Sequence, residues 1–123
     1  MIPFVTIGAR DRAASNAFYD AVLGALGYAL TRDDERWTAY GQSPDRREVF
    51  VGAPFDGEAR GGNGIMVAFE AGTADAVRAA HAAGLKAGGT DEGAPAYRPA
   101  DSTWYGAYLR DPTGNKICIC VDN

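Results

Sequence analysis

Short alternating apolar runs, interrupted by two longer stretches of helical spacing, lay out the plan of this chain. Val5 and Ile7 share one side of a strand predicted over residues 3–8, with Phe4 and Thr6 on the other. Asp11 stands where an N-cap belongs. Ala14, Phe18, Ala21, Val22 and Leu26 then recur at helical spacing, up to Gly24 and Gly27, which end the predicted helix. Three strands are predicted next, over 28–31, 37–40 and 48–52. The acidic turn Asp33-Asp34-Glu35 and the loop 42–46 separate them.

Residues 57–64, Gly-Glu-Ala-Arg-Gly-Gly-Asn-Gly, break the pattern and form the predicted linker. Their glycines precede a strand rather than joining a strand to a helix, which argues against a phosphate loop. The earlier order then returns. A strand over 65–70 carries Ile65, Val67 and Phe69 on one face and Met66 and Ala68 on the other. Thr73 caps a helix whose buried side is Val77, Ala80 and His81, and Gly84 is expected to end it. Residues 88–93 read as a polar loop or short edge strand, and 104–110 as a strand.

The chain closes on a hairpin. Asp111-Pro112-Thr113-Gly114-Asn115 is a turn, with Pro112 at its second position and Gly114 free to take positive φ. In the last strand Ile117, Ile119 and Val121 form one row, and Cys118 and Cys120 the other. The whole predicts one α+β domain over 1–123. Its first module spans about 1–56 and its second about 65–123, an internal duplication joined by the linker at 57–64.

Composition narrows the function classes. A length of 123 residues suits one domain, which buries roughly two-thirds of its unfolded surface. The net charge is −4 and Arg46-Arg47 is the only adjacent basic pair, so no nucleic-acid partner is expected. No apolar run approaches the roughly 18 residues of a membrane span, and the first residues do not read as a signal peptide. The two cysteines lie two apart on one strand, which excludes a disulfide framework and suggests a reduced, cytoplasmic protein.

Several ordered stretches resemble one superfamily. They are Ile7-Gly8-Ala9-Arg10-Asp11 with Ser15, Phe18-Tyr19, Val22-Leu23 and Leu26-Gly27-Tyr28; Val67-Ala68-Phe69; Val77 with His81; Gly93-Ala94-Pro95 and Arg98-Pro99; and Tyr105 through Asp111-Pro112, Gly114-Asn115 and Ile117. Together they resemble the vicinal-oxygen-chelate proteins, the glyoxalase / bleomycin-resistance / dioxygenase group. The resemblance implies two βαβββ modules forming a curled mixed β-sheet around a cavity, with helices outside, often in a homodimer. In metal-dependent members a His from the first strand of each half and a Glu from the final strand hold a divalent ion. Those positions here are Phe4, Met66 and Cys118, with Phe50 at an optional fourth.

Phe offers no donor, and one thioether with one thiol is too soft and too few for Mg, Mn or Fe. Neither a divalent metal nor any other cofactor is therefore expected. Met66, Cys118 and Cys120 are soft enough for Cu(I), but apolar lining is the preferred reading. Cys118 lacks a neighbour to activate it as a nucleophile, and His81 reads as a helix-face residue rather than a base.

The candidate ligand-binding set is Phe4, Thr6, Trp37, Phe50, Met66, Ala68, Tyr97, Arg98, Trp104, Gly106, Tyr108, Cys118 and Cys120. Gly106, between Trp104 and Tyr108, is read as clearing space in the cavity. Arg98 is placed either as an anchor for a carboxylate or phosphate, or in a surface pair with Asp101 or Glu92, and the pair is preferred. The expected function is metal-free binding of a small, partly aromatic organic molecule. The alternatives are a glyoxalase-type lyase/isomerase or dioxygenase acting with an atypical or no metal, and a structural or regulatory domain whose dimer interface is its function.

Overall fold

A computed structural model describes residues 1–123. The first half is β1 (Val5–Gly8), α1 (Arg12–Ala25), β2 (Ala29–Asp33), β3 (Trp37–Gly41) and β4 (Val49–Gly52). The second is β5 (Val67–Glu70), α2 (Ala74–Lys86), β6 (Thr90–Tyr97), β7 (Trp104–Arg110) and β8 (Lys116–Asp122). Each half makes a mixed four-stranded sheet, ordered β1-β4-β3-β2 and β5-β8-β7-β6. In each, the first strand runs parallel to the last and the others are antiparallel. The sheets are curled and not closed, the βαβββ arrangement that the resemblance implied.

Both helices begin where the sequence places them. The side chains of Asp11 and Thr73 accept from the backbone N–H groups of Ala14 and Ala76, satisfying donors that the first turn leaves orphaned. Gly27, at φ +90°, leads the chain out of α1. Gly84, however, does not end α2, which runs on to Lys86. It is buried, and a Cβ there would lie 2.6 Å from Leu109 Cδ1 and 2.9 Å from Val22 Cγ2. The glycine serves close packing of α2 on α1 and β7.

Two strand readings also change. Ile65 is exposed and precedes β5, so the alternation does not reach back to it. The polar stretch after α2 becomes an eight-residue edge strand, β6, whose register slips on either side of Gly93. An edge tolerates this, because Pro95 has no N–H to contribute to a ladder.

One hydrophobic core of 19 buried residues crosses both halves. Phe18, Val22 and Leu23 of α1 meet Val77 and Ala80 of α2, with Val49 and Val51 of one sheet and Leu109, Ile117 and Ile119 of the other. Asp111 in the hairpin turn locks the halves further. One of its oxygens accepts from the backbone N–H groups of Thr113, Gly114 and Asn115; the other accepts from Tyr19 Oη at 2.7 Å and Asn115 Nδ2 at 2.9 Å. Asn115 Nδ2 also reaches Gly8 O at 2.9 Å, and Arg10 N donates to Thr113 Oγ1 at 3.1 Å. The segment between β4 and β5 is held too: Ala59 is buried, its carbonyl accepts from Arg10 Nε, and a Cβ on Gly61 would fall 2.2 Å from Gly114 O.

Candidate functional site

Strand alternation gives each sheet one face against the helices and one open face. On the first sheet Thr6 pairs with Phe50, and Phe50 with Ala39, so all three share the open face, opposite the core residues Ile7, Val49 and Val51. Phe50 meets Phe4 edge-on at 5.3 Å and Trp37 at 5.9 Å. Arg32 lies over Phe50 and Arg36 over Trp37.

On the second sheet the ladder sets Ala68, Cys118 and Tyr108 side by side, then Cys120 beside Gly106. Trp104 and Lys116 have the same parity and share this face. Gly106 does not clear a cavity: a Cβ there would fall 2.2 Å from Cη2 of Trp104, whose indole occupies the space. Trp104 and Tyr108 lie 6.5 Å apart at a 33° tilt. Tyr97 is set apart from this group. It pairs with Tyr105, a core residue, and packs on it at 4.8 Å on the helix side of the sheet.

Arg98 forms neither of the expected ion pairs. Glu92 is taken by Arg110 at 2.8 Å, and Arg98 donates instead to the carbonyls of Gly106 (3.4 Å) and Ala94. Its guanidinium lies over the Tyr108 ring, 5.2 Å from the centroid, and Lys116 Nζ lies 5.1 Å from the same centroid. Sequence reasoning missed Lys116, although its parity with Cys118 and Cys120 was the available signal.

The free edges β1 and β5 face each other across a groove of about 350 Å³, lined by Phe4, Val5, Tyr28, Met66, Ala68 and Phe69 among others. Met66 and Lys116, with Thr6, also line a smaller recess of about 80 Å³ farther along the same seam. Phe4 and Met66 thus meet in one groove. Phe50 touches it through Phe4, and Cys118 is buried on the same face as Ala68.

A family model described as a glyoxalase-like domain matches residues 4–120. The chain belongs to the glyoxalase-like domain family. This places the glyoxalase-like domain in the vicinal-oxygen-chelate superfamily. A glyoxalase/bleomycin resistance protein from Albidiferax ferrireducens T118 is 38% identical, with 95% of this chain and 94% of that chain covered and a TM-score of 0.84. A glyoxalase/bleomycin resistance protein/dioxygenase family enzyme from Burkholderia phytofirmans PsJN is 22% identical over 99% and 98%, at TM-score 0.74. A lactoylglutathione lyase from Agrobacterium tumefaciens is 19% identical over 98% and 92%, at TM-score 0.65. The latter two likenesses show the fold alone. No curated protein matches the chain.

At the four positions that the resemblance assigns to metal ligands, the side chains offer no oxygen or imidazole donor. Two of the four positions are benzyl rings. Met66 is an exposed thioether and Cys118 a buried thiol. Burial above all pushes the Cys118 thiol up to about 12, helped by the charge and hydrogen bond of Cys120, while Arg98 and Lys116 pull the other way. A thiol held protonated is a poor ligand. His81 is committed elsewhere, with Nε2 at 2.9 Å from Asp91 Oδ1, where it ties α2 to β6. No helix is long and apolar enough to cross a membrane.

Proposed function

We propose that this glyoxalase-like domain binds a small, partly aromatic organic molecule along the seam and the open aromatic face, without a divalent metal. The carrying observation is the set of apolar and sulfur side chains at Phe4, Phe50, Met66 and Cys118, beside rings of Trp37, Trp104 and Tyr108 that share the open faces. Aromatic faces with a few polar tips suit a planar guest. The groove of about 350 Å³ lies at the small end of the roughly 300–1,000 Å³ range of ligand sites.

The test is a tryptophan-fluorescence titration of chelator-treated protein with a panel of aromatic compounds. Saturable quenching or a spectral shift supports the reading; a flat response to every compound contradicts it. Glyoxalase-type lyase chemistry, the alternative, predicts turnover of the methylglyoxal–glutathione adduct restored by added Ni, Zn or Mn. The binding reading predicts none. We also propose that the chain pairs with a second copy, since Ile2, Phe4, Ile65 and Met66 are all exposed beside the seam. Sedimentation of a dimer supports this, and a monomer at high concentration contradicts it.

A further inference from the structure

We infer that the open face of the second sheet carries an anion subsite around Tyr108, so that the ligand is an aromatic molecule bearing a carboxylate or phosphate. This rests on the binding function proposed above and specifies its ligand. Arg98 and Lys116 both lie within 5.2 Å of the Tyr108 ring centroid, and all three side chains are half-buried. Two cations gathered at one ring on a chain of net charge −4 need a reason.

Internal pairing does not supply that reason. Six other arginines hold carboxylates: Arg10, Arg12, Arg32, Arg46, Arg78 and Arg110. Arg98 and Lys116 hold none, and unlike the other unpaired cations, the exposed Arg36, Arg47, Arg60 and Lys86, they are half-buried. Two acids of β6 are engaged elsewhere, Glu92 by Arg110 and Asp91 by His81, although Asp91 also feels the charge of Arg98. Glu70 shares the face but stands one rung farther along, beside Cys120, and is exposed. The two carbonyls that Arg98 reaches orient its guanidinium without neutralising it. Lys116 Nζ and Tyr108 Oη take part in no hydrogen bond within the chain. Both cations also act on the buried Cys118 thiol, so their fields converge on one place.

Continuity with the apolar groove supplies the other half of the ligand. Lys116 and Met66 line the same recess, and Met66 also lines the groove that holds Phe4 and Ala68. A ring seated along this seam has its edge toward Lys116, whose ammonium lies 5.1 Å from the Tyr108 ring centroid. A charge-assisted bond in a half-buried place discriminates an anion from its neutral isostere by about tenfold.

Matched probes test this by calorimetric titration: 1-naphthoate, neutral 1-naphthamide, 1-naphthylmethylamine and 1-naphthyl phosphate. The expected order is naphthoate about tenfold tighter than naphthamide, with the amine weakest, and a preference that shrinks as salt rises. Arg98→Gln and Lys116→Gln each lower the ratio of naphthoate to naphthamide affinity. A naphthyl phosphate tighter than naphthoate also supports the subsite and assigns its head group. Equal binding of naphthoate and naphthamide, or a preference intact in both variants, overturns the anion subsite and leaves the binding function standing. If no probe binds, both fall.

Discussion

The indole of Trp104 lies on Gly106, two residues along its own strand, so closely that a Cβ on the glycine would stand 2.2 Å from Cη2. This contact shapes the open face of the second sheet, because it fixes the ring that stands beside Tyr108. Gly106→Ala forces the indole off its seat. The expected cost is about 1–3 kcal/mol of stability by overpacking, with a red-shifted tryptophan emission and weaker binding of aromatic probes. Denaturant titration and emission spectra check it. An unchanged spectrum with full affinity would mean that the seat does not matter.

Asp111 carries the union of the two halves. Asp111→Ala orphans the buried Tyr19 hydroxyl and the N–H groups of the turn at once, and is expected to cost about 3 kcal/mol. Tyr19→Phe removes one of those bonds and is expected to cost about 1–2 kcal/mol. The double variant should be less destabilised than the sum, since the two side chains share the 2.7 Å bond. Urea unfolding of all four proteins measures the coupling, and strict additivity contradicts the assignment.

The Cys118 thiol gives a signature of its own. Its pKa stands at about 12 in the fold, above the ordinary thiol range near 8.5. A raised folded pKa means stability that is whole below the unfolded value and lost as pH climbs through the folded one. Stability should therefore decline from about pH 9 toward pH 12, in a window shared with the buried Tyr19, whose hydroxyl is also raised by burial and by Asp111. Ellman's reagent at pH 8 should label half-buried Cys120 well ahead of Cys118. Equal rates would mean that Cys118 is accessible and ionisable.

Much of this fold was legible because its signals are local. The Asp11 and Thr73 caps, the Asp111–Asn115 turn with Gly114 at φ +103° and the alternation of β7 and β8 each need only neighbouring residues. Gly84 misled because its role is set by Phe18, Val22 and Leu109, from distant parts of the chain. Packing there outweighs the roughly 1 kcal/mol by which glycine weakens a helix. Ile65 misled because alternation has no built-in end point. The site was less legible for the same reason. That Arg98 turns to Tyr108 while Glu92 goes to Arg110, and that Lys116 joins them, follows from the pairing of β6, β7 and β8 rather than from any stretch of sequence.

The absence of hard ligands at Phe4, Phe50, Met66 and Cys118 is tested most directly by titrating Mn, Ni and Zn into chelator-treated protein by calorimetry, with elemental analysis of the dialysed product. Heats of non-specific binding only, and far less than one ion per chain after dialysis, are the predicted result. A saturable uptake of about one ion per chain, lost on Met66→Leu or Cys118→Ala, would contradict it.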